Sequence, residues 1–587
     1  MKAPKVRGTM PTSTEFPLLL GPLLDRGCHV QPDTQIITKV EGGYATITYA
    51  EHRQQVSLVA SAFAKIGLGE GDVLTSYCWN TAQHYQLYHA IPSMGAILNT
   101  LNIKLSEKES AWILNDAGTR FLVVDEDQIP KLEAVFKQFP ELVQAVERTI
   151  VCGVDSAPWR KTTALPNAVD WFDFLATGDV SDFQEWPVFH EDSACFLCYT
   201  SGTTGNPKGV AYSHRSTYIH VISQGLPDQM NISGSDSILS VVPMYHAGGW
   251  CVPLACLMLG CRIVLVNRFM APAQVADAII DTGVTLSAGV PTVWQMLQQA
   301  LEQDPSKIVR VRGVLKTLIC GGTAPPLAMM EWFLRETGVE FRQVWGMTET
   351  NPIGTMSHFV QTQRDLKKTP AERLAKLDFQ GTPAVTVQIA IADSDKLEET
   401  QPSLKHVAHD GESPGELICR GPHVTVGYWK GAGADKFIDG WLKTGDVSSL
   451  SPTLEMKIRD RSKDMVKSGG EFISSVDLEN SIVGMPSVAS ACVVAVAHPK
   501  FDERPVVVVV LAPGVQGVTR EEVHAFLAKD GRFTKWQWPD DVIVWDAIPM
   551  TGTGKIDKKA VRSTLKDRGY VSPNLWSDKP AEPVSKL

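Results

Sequence analysis

Tyr199-Thr200-Ser201-Gly202-Thr203-Thr204-Gly205-Asn206-Pro207-Lys208-Gly209 follows directly on the apolar run Ala194-Cys195-Phe196-Leu197-Cys198. The run reads as a buried strand, and the segment after it gathers hydroxyls and glycines around one lysine. Hydroxyls at Thr200, Ser201, Thr203 and Thr204, with backbone N–H groups freed by Gly202 and Gly205, make a donor-rich cradle for polyphosphate, to which Lys208 adds a point charge. The pattern is not a Walker A loop, because that loop ends in Gly-Lys-Ser/Thr and here Lys208 follows Pro207.

Outward from this loop, helical periodicity alternates with short β-rich runs through the first ~450 residues. Phe121 to Asp125, Ser237 to Val242 and Arg262 to Val266 read as strands, and Ala50 to Ile66 and Pro272 to Asp281 as helices. Such alternation predicts an α/β fold of layered, mostly parallel sheets and helices. A chain of 587 residues exceeds one hydrophobic core and should divide. The dense charge run Ile458-Arg459-Asp460-Arg461-Ser462-Lys463-Asp464 is hard to bury and easy to hinge, so it marks the boundary. Beyond it come a helix near Ser475 to Ile482, strands near Ala491 to Ala497 and Pro505 to Leu511, and a helix from Thr519 to Ala528. The expected division is a large domain over 1–459, a small mobile α+β domain over 460–570 and an extended tail over 571–587.

Composition excludes several classes. With 44% hydrophobic and 20% charged residues and a formal charge of −10, the chain has no basic footprint for nucleic acid. Eleven cysteines lie singly, without a disulfide or zinc spacing, which favours reduced thiols. Cys195 and Cys198 formally make C-x-x-C, but three residues apart on a strand they face opposite ways. No apolar run approaches the ~18 residues of a membrane span. The last three residues, Ser585-Lys586-Leu587, match a peroxisomal import address, so the expected partner is a peroxisomal import receptor and the expected location the peroxisomal matrix, otherwise the cytoplasm. The sequence leaves a homodimer open.

Further motifs follow the phosphate loop. Pro243-Met244-Tyr245-His246-Ala247-Gly248-Gly249-Trp250 sets an aromatic and imidazole wall beside a glycine pair. Cys320-Gly321-Gly322-Thr323-Ala324-Pro325-Pro326 follows a strand expected at Val314 to Ile319, and Val344-Trp345-Gly346-Met347-Thr348-Glu349-Thr350 comes soon after. Trp441-Leu442-Lys443-Thr444-Gly445-Asp446, Lys467-Ser468-Gly469-Gly470-Glu471 and Pro549-Met550-Thr551-Gly552-Thr553-Gly554-Lys555-Ile556 complete the series. In this order, from about residue 35 to about 567, the set resembles the adenylate-forming acyl-CoA synthetases, and most of all medium-chain fatty-acyl-CoA and methylmercaptopropionate-CoA ligases. The family commonly has His at Asn99 and Tyr at Trp345.

The resemblance implies roles residue by residue. Thr200 to Gly205, Lys208, Gly322, Thr323, Gly346, Met347 and Thr348 would bind ATP and then AMP, with Trp345 stacking on adenine, Asp446 on the ribose and Arg461 on the ribose or the phosphate. Glu349 would hold Mg²⁺. His246, Gly249, Trp250 and Gly321 would line the acyl pocket, with His246 as a wall and not an acid–base catalyst. Lys463 would be the hinge, Ser468, Gly469 and Gly470 would approach CoA, and Lys555 would be catalytic with Thr348 and Glu349. The implied enzyme is an ATP-dependent acid–thiol ligase that turns a short- to medium-chain aliphatic acid into its CoA thioester through an acyl-AMP. An adenylation enzyme that loads a carrier protein, a luciferase-like enzyme and a non-catalytic acyl- or nucleotide-binding homologue are the alternatives.

Overall fold

The computed structural model describes residues 16–153, 163–200, 206–360, 362–398, 403–469, 471–551 and 555–573. Ser201 to Gly205, Gly470, Gly552 to Gly554 and Ser585 to Leu587 lie outside the described residues. The described residues form four sheets.

The first sheet runs Val169–Asp170, Arg148–Cys152, Phe121–Asp125, Val73–Tyr77, Ile97–Thr100, Ala194–Thr200 and Lys208–Ser213. Its strands are parallel except the last pair, an antiparallel hairpin in which Thr200 pairs with Lys208. Parallel neighbours need a crossover, which the helix Ala82–Ser93 supplies between Val73–Tyr77 and Ile97–Thr100. The helix expected at 50–66 is Tyr49–Lys65, started by a capping box in which Glu51 N–H donates to Thr48 Oγ1 at 3.2 Å and Thr48 N–H to Glu51 Oε2 at 2.7 Å.

The second sheet has a parallel centre of Glu340–Gly346, Thr317–Gly321, Leu286–Gly289, Ser237–Ser240, Arg262–Leu265 and Gln35–Val40, with antiparallel strands at both edges. The strand expected at Val314 starts at Thr317 instead, because Pro305–Val314 is a helix. Val314 closes that helix, and Pro305 in its first turn is preorganised for one. Leu74, Leu98 and Phe196 of the first sheet share one apolar cluster with Ile238, Ile263 and Ile319 of the second. The two sheets therefore form one body.

The third sheet is antiparallel: Gln388–Ala392, Gly415–Arg420, Trp441–Leu450 and Phe437–Ile438, with Met456–Arg461 on the other side of Trp441–Leu450. Antiparallel neighbours need no crossover helix, and this sheet departs from the parallel layers expected elsewhere. The chain leaves this sheet at Arg461 and enters the fourth at Val466. That sheet comprises Glu471–Ile473, Val466–Ser468, Asp502–Leu511, Val488–His498 and Asp541–Val544, with the helices Ser475–Ile482, Arg520–Asp530 and Lys558–Asp567 beside it. The expected elements of the small α+β unit are thus present.

All eleven cysteines are free and buried. Cys195 Sγ faces Tyr212 O at 3.3 Å and Cys198 faces Thr100 Oγ1 at 3.6 Å, yet both belong to one apolar cluster, with a register shift between Ala194 and Phe196, so the strict alternation expected of the strand does not hold here. Asn99 is a core residue whose Nδ2 donates to Thr75 Oγ1 at 2.9 Å. Among the described residues no helix is long and apolar enough to cross a membrane.

Candidate active site

Strand ends of the second and third sheets and one loop of the small unit converge on a single region. Trp345 ends the strand Glu340–Gly346, and Asp446 lies in Trp441–Leu450. The Trp345 indole N–H donates to Asp446 Oδ2 at 2.8 Å. Asp446 Oδ1 faces Arg461 Nε at 3.5 Å, and the two residues pair across the ladder. The turn before Asp446 is held by Glu416, whose Oε1 accepts the Gly445 N–H at 2.7 Å and whose Oε2 accepts the Ser462 hydroxyl at 3.1 Å.

Trp345 is only 4% exposed and packs with Ala384, Val387, Ile389 and Leu442. A Cβ at Gly354 would collide with its six-membered ring, so glycine lets the indole lie flush on that strand. The open stacking face expected of Trp345 is therefore covered in this arrangement. What the indole presents to the site is its N–H.

Glu349 lies in the turn after this strand, with Thr348 and Thr350, all three buried. Tyr428 donates its phenol to Glu349 Oε1 at 2.6 Å, and burial raises the Glu349 pKa against that bond. Tyr212 donates to Thr348 O at 2.7 Å, which fixes the backbone of the same turn. Met347 N–H is shared between Pro352 O at 2.9 Å and Thr350 Oγ1 at 3.0 Å. A Cβ at Gly346 would strike Pro352 O, so only glycine fits there. The Lys208 ammonium stands 5.3 Å from the centre of the Tyr428 ring, and thereby reaches the Glu349 side of the region from the hairpin of the phosphate loop.

The segment Ala247–Cys251 holds five consecutive left-handed residues, Ala247, Gly248, Gly249, Trp250 and Cys251, with φ of 40°, 58°, 56°, 58° and 57°. Three of them carry a Cβ, and each such residue costs on the order of 1–3 kcal/mol unless its surroundings enforce it. The enforcement is local: Asn80 accepts the Met244 N–H at 2.8 Å and donates to Val242 O and Ser240 O, both at 2.8 Å. Cys251 Sγ donates to Asn351 O at 3.5 Å at the other end. The turn lays Trp250 against Gly321, where a Cβ would come within 2.9 Å of Trp250 Cη2. Of the residues expected to line the acyl pocket, Trp250 and Gly321 are thus brought together, while Gly249 faces Met244 and Pro253.

Lys555 arrives from the small unit. A Cβ at Gly322 would lie 3.1 Å from Lys555 Cε and 3.7 Å from Nζ. Surrounding protein strips water from the ammonium and Arg461 repels it, while Asp446 partly compensates, leaving its pKa lowered to about 8. His246 is pushed down to about 3 by burial and by the Lys555 charge, so it is a neutral wall at working pH. Thr323 is exposed beside Gly322.

Other expected residues stand elsewhere. Burial lowers the Lys463 pKa on the connection between the third and fourth sheets. Ser468 ends a strand of the fourth sheet and Gly469 lies in the turn after it: Ser468 Oγ accepts from Arg504 Nη1 at 3.1 Å, and Gly469, at φ 58°, faces Trp536. Sequence reading gave no role to Asn80, Glu416, Tyr428 or Arg504. Each acts on a residue it did single out, but from 29 to 164 positions away.

No group of three or more His, Cys, Asp or Glu suited to a metal occurs among the described residues. A lone buried carboxylate such as Glu349 nevertheless fits Mg²⁺, which keeps waters and takes one or two carboxylates plus substrate phosphates.

Comparison with known proteins gives a consistent result. Residues 24–429 match the family model described as AMP-binding enzyme, and residues 477–555 match that of the AMP-binding enzyme C-terminal domain. The chain is 37% identical over 553 residues to a 3-methylmercaptopropionyl-CoA ligase of Ruegeria lacuscaerulensis, covering 94% of this chain and 98% of the relative. It is 33% identical over 551 residues to a medium-chain-fatty-acid–CoA ligase of Ectopseudomonas oleovorans, covering 94% and 96%. Among solved structures, an anthranilate CoA ligase in complex with anthranoyl-AMP superposes with a TM-score of 0.79 at 20% identity, over 94% of this chain and 99% of the other.

Proposed function

The chain belongs to the AMP-binding enzyme family, within the acid–thiol ligases, and from that premise we propose that it converts a short- to medium-chain aliphatic carboxylic acid into its CoA thioester through an acyl-AMP. The observation that carries this reading is the meeting of Lys555 with Gly322, His246, Asp446 and Arg461 in one region.

Carboxylates are poor acylating agents, and joining one to AMP makes its oxygen a good leaving group. A carboxylate oxygen attacks the α-phosphorus of ATP, the bond to the β-phosphate breaks, and pyrophosphate leaves. Charge grows on the phosphate oxygens in this step. The cation of Lys555, held against the Gly322 backbone, stabilises it, and the Thr348 hydroxyl is the neutral donor for the same charge. Asp446 receives the ribose, Thr200 to Gly205 with Lys208 hold the outer phosphates, and Glu349 would hold Mg²⁺. A magnesium ion there would supply positive charge between phosphates. Neutral His246 and Trp250 exclude water from the acyl side without exchanging protons. In the second step the CoA sulfur, having lost its proton, attacks the acyl carbon and AMP leaves. Lys463 is the hinge about which the small unit turns to bring Ser468, Gly469 and Gly470 to the thiol.

The small and medium acids named for the two relatives support a short- to medium-chain substrate. Pyrophosphate release with ATP, Mg²⁺ and CoA, measured over acids from C2 to C18 with sulfur-containing and aromatic members, tests the proposal. A maximum among the short and medium aliphatic or thioether acids is expected. Silence across the panel with ATP still bound, or a maximum among aromatic acids, would overturn it.

A further inference from the structure

Asp446 has two protein partners on opposite sides. On one side is the indole N–H of Trp345, at 2.8 Å, and on the other the Arg461 guanidinium, at 3.5 Å. These partners differ in kind. Trp345 is 4% exposed, its ring seated on Gly354 and wedged among apolar side chains of the third sheet. The Arg461 side chain is 48% exposed, at the point where the chain leaves the third sheet for the small unit. One partner is buried and packed, and the other is half exposed.

We infer that Trp345 is the positioning residue for Asp446, and that its N–H fixes the carboxylate in the orientation that reads the two hydroxyls of the ribose. The inference rests on the reading of Asp446 as the ribose carboxylate. A carboxylate offers about four acceptor sites. The indole takes one and Arg461 faces another, so two remain, one for each of two vicinal hydroxyls. An indole nitrogen only donates, so its bond to Asp446 has one sense and cannot reverse. The bond also spans 101 residues of sequence and joins the second sheet to the third, so a shift between these sheets reaches the ribose site through it.

The test compares kcat/KM for ATP with that for 2′-deoxy-ATP and 3′-deoxy-ATP, in the wild type and in W345F, D446N and the double variant. The wild type is expected to prefer ATP. W345F should lose about tenfold of that preference, the size of effect expected when a hydrogen bond to a charged group is removed. The loss should appear mainly in KM, and W345F should add nothing in the D446N background. A purely structural role for the ring would lower kcat and melting temperature and leave the ratio intact. Should W345F fail to fold, replacing Trp345 by 3-benzothienylalanine keeps the ring and removes only the N–H, and the same ratio is read. An unchanged ratio in either variant overturns the inference while Asp446 keeps its role. A wild type indifferent to the ribose hydroxyls, or D446N with full preference, overturns both.

Discussion

Lys555 and Lys558 stand three residues apart, and their surroundings are opposite. Lys558 donates to Glu479 Oε1 at 2.9 Å and to Ser475 Oγ at 2.5 Å, and that serine donates in turn to Asp460 Oδ2 at 2.6 Å. Burial alone would lower its pKa, but Glu479 and Asp460 together more than offset this and raise it. Lys555 meets a glycine backbone, a neutral imidazole and the repulsion of Arg461, and its pKa falls to about 8. A cation ringed by carboxylates is a strut. A cation desolvated beside another cation waits for an anion, and that is how groups that do chemistry are recognised. The strut ties the strand that ends at Arg461 to the helix that begins at Lys558, so the loop bearing Lys555 is carried on a firm base.

The contrast can be broken in three ways. Lys555→Ala should lower adenylate formation by about 10²–10³-fold, the cost of losing one preorganised stabiliser of transition-state charge. Its melting temperature should hold, and thioester formation from supplied acyl-AMP should be much less affected. Equal loss in both half-reactions would contradict the role. Lys558→Met should do the reverse, removing ~3–5 kcal/mol of stability because Glu479 is left buried without its cation, as read by denaturant unfolding of the small unit. A variant as stable as wild type would mean that the network is not a strut. The mildest test is pH. The cationic form of Lys555 is complete below its lowered pKa and is lost as pH rises through about 8, so kcat/KM for adenylation should fall about tenfold per unit above that point. Lys555→Arg, which cannot be neutralised, should flatten this limb at a lower plateau. A fall of the same shape in the arginine variant would assign the titration to another group.

Sequence order made the chemistry-bearing loops legible, because glycines, hydroxyls and a lysine declare themselves within a few residues. The loop at Gly321–Gly322, the turn at Thr348–Glu349 and Asp446 all fall in one region. What stayed hidden was contact at long range. Tyr428 reaches Glu349 across 79 positions and Asn80 reaches Met244 across 164, and no local pattern marks either. The left-handed run Ala247–Cys251 was equally hidden, since two glycines do not announce five residues at positive φ. The strand expected from Val314 to Ile319 starts three residues late, at Thr317, because the helix begun at Pro305 runs through Val314. The antiparallel third sheet, which carries Asp446 and Arg461, was invisible to a reading built on alternating strands and helices.

The most direct test of the central claim is the fate of a carboxylate oxygen. With the preferred acid labelled in both oxygens with ¹⁸O, and with ATP and CoA, one labelled oxygen should appear in AMP and none in pyrophosphate, because the carboxylate attacks the α-phosphorus and leaves one oxygen behind on it. Label recovered in orthophosphate alongside ADP, with AMP unlabelled, would mean activation through an acyl phosphate and would contradict the account of this site.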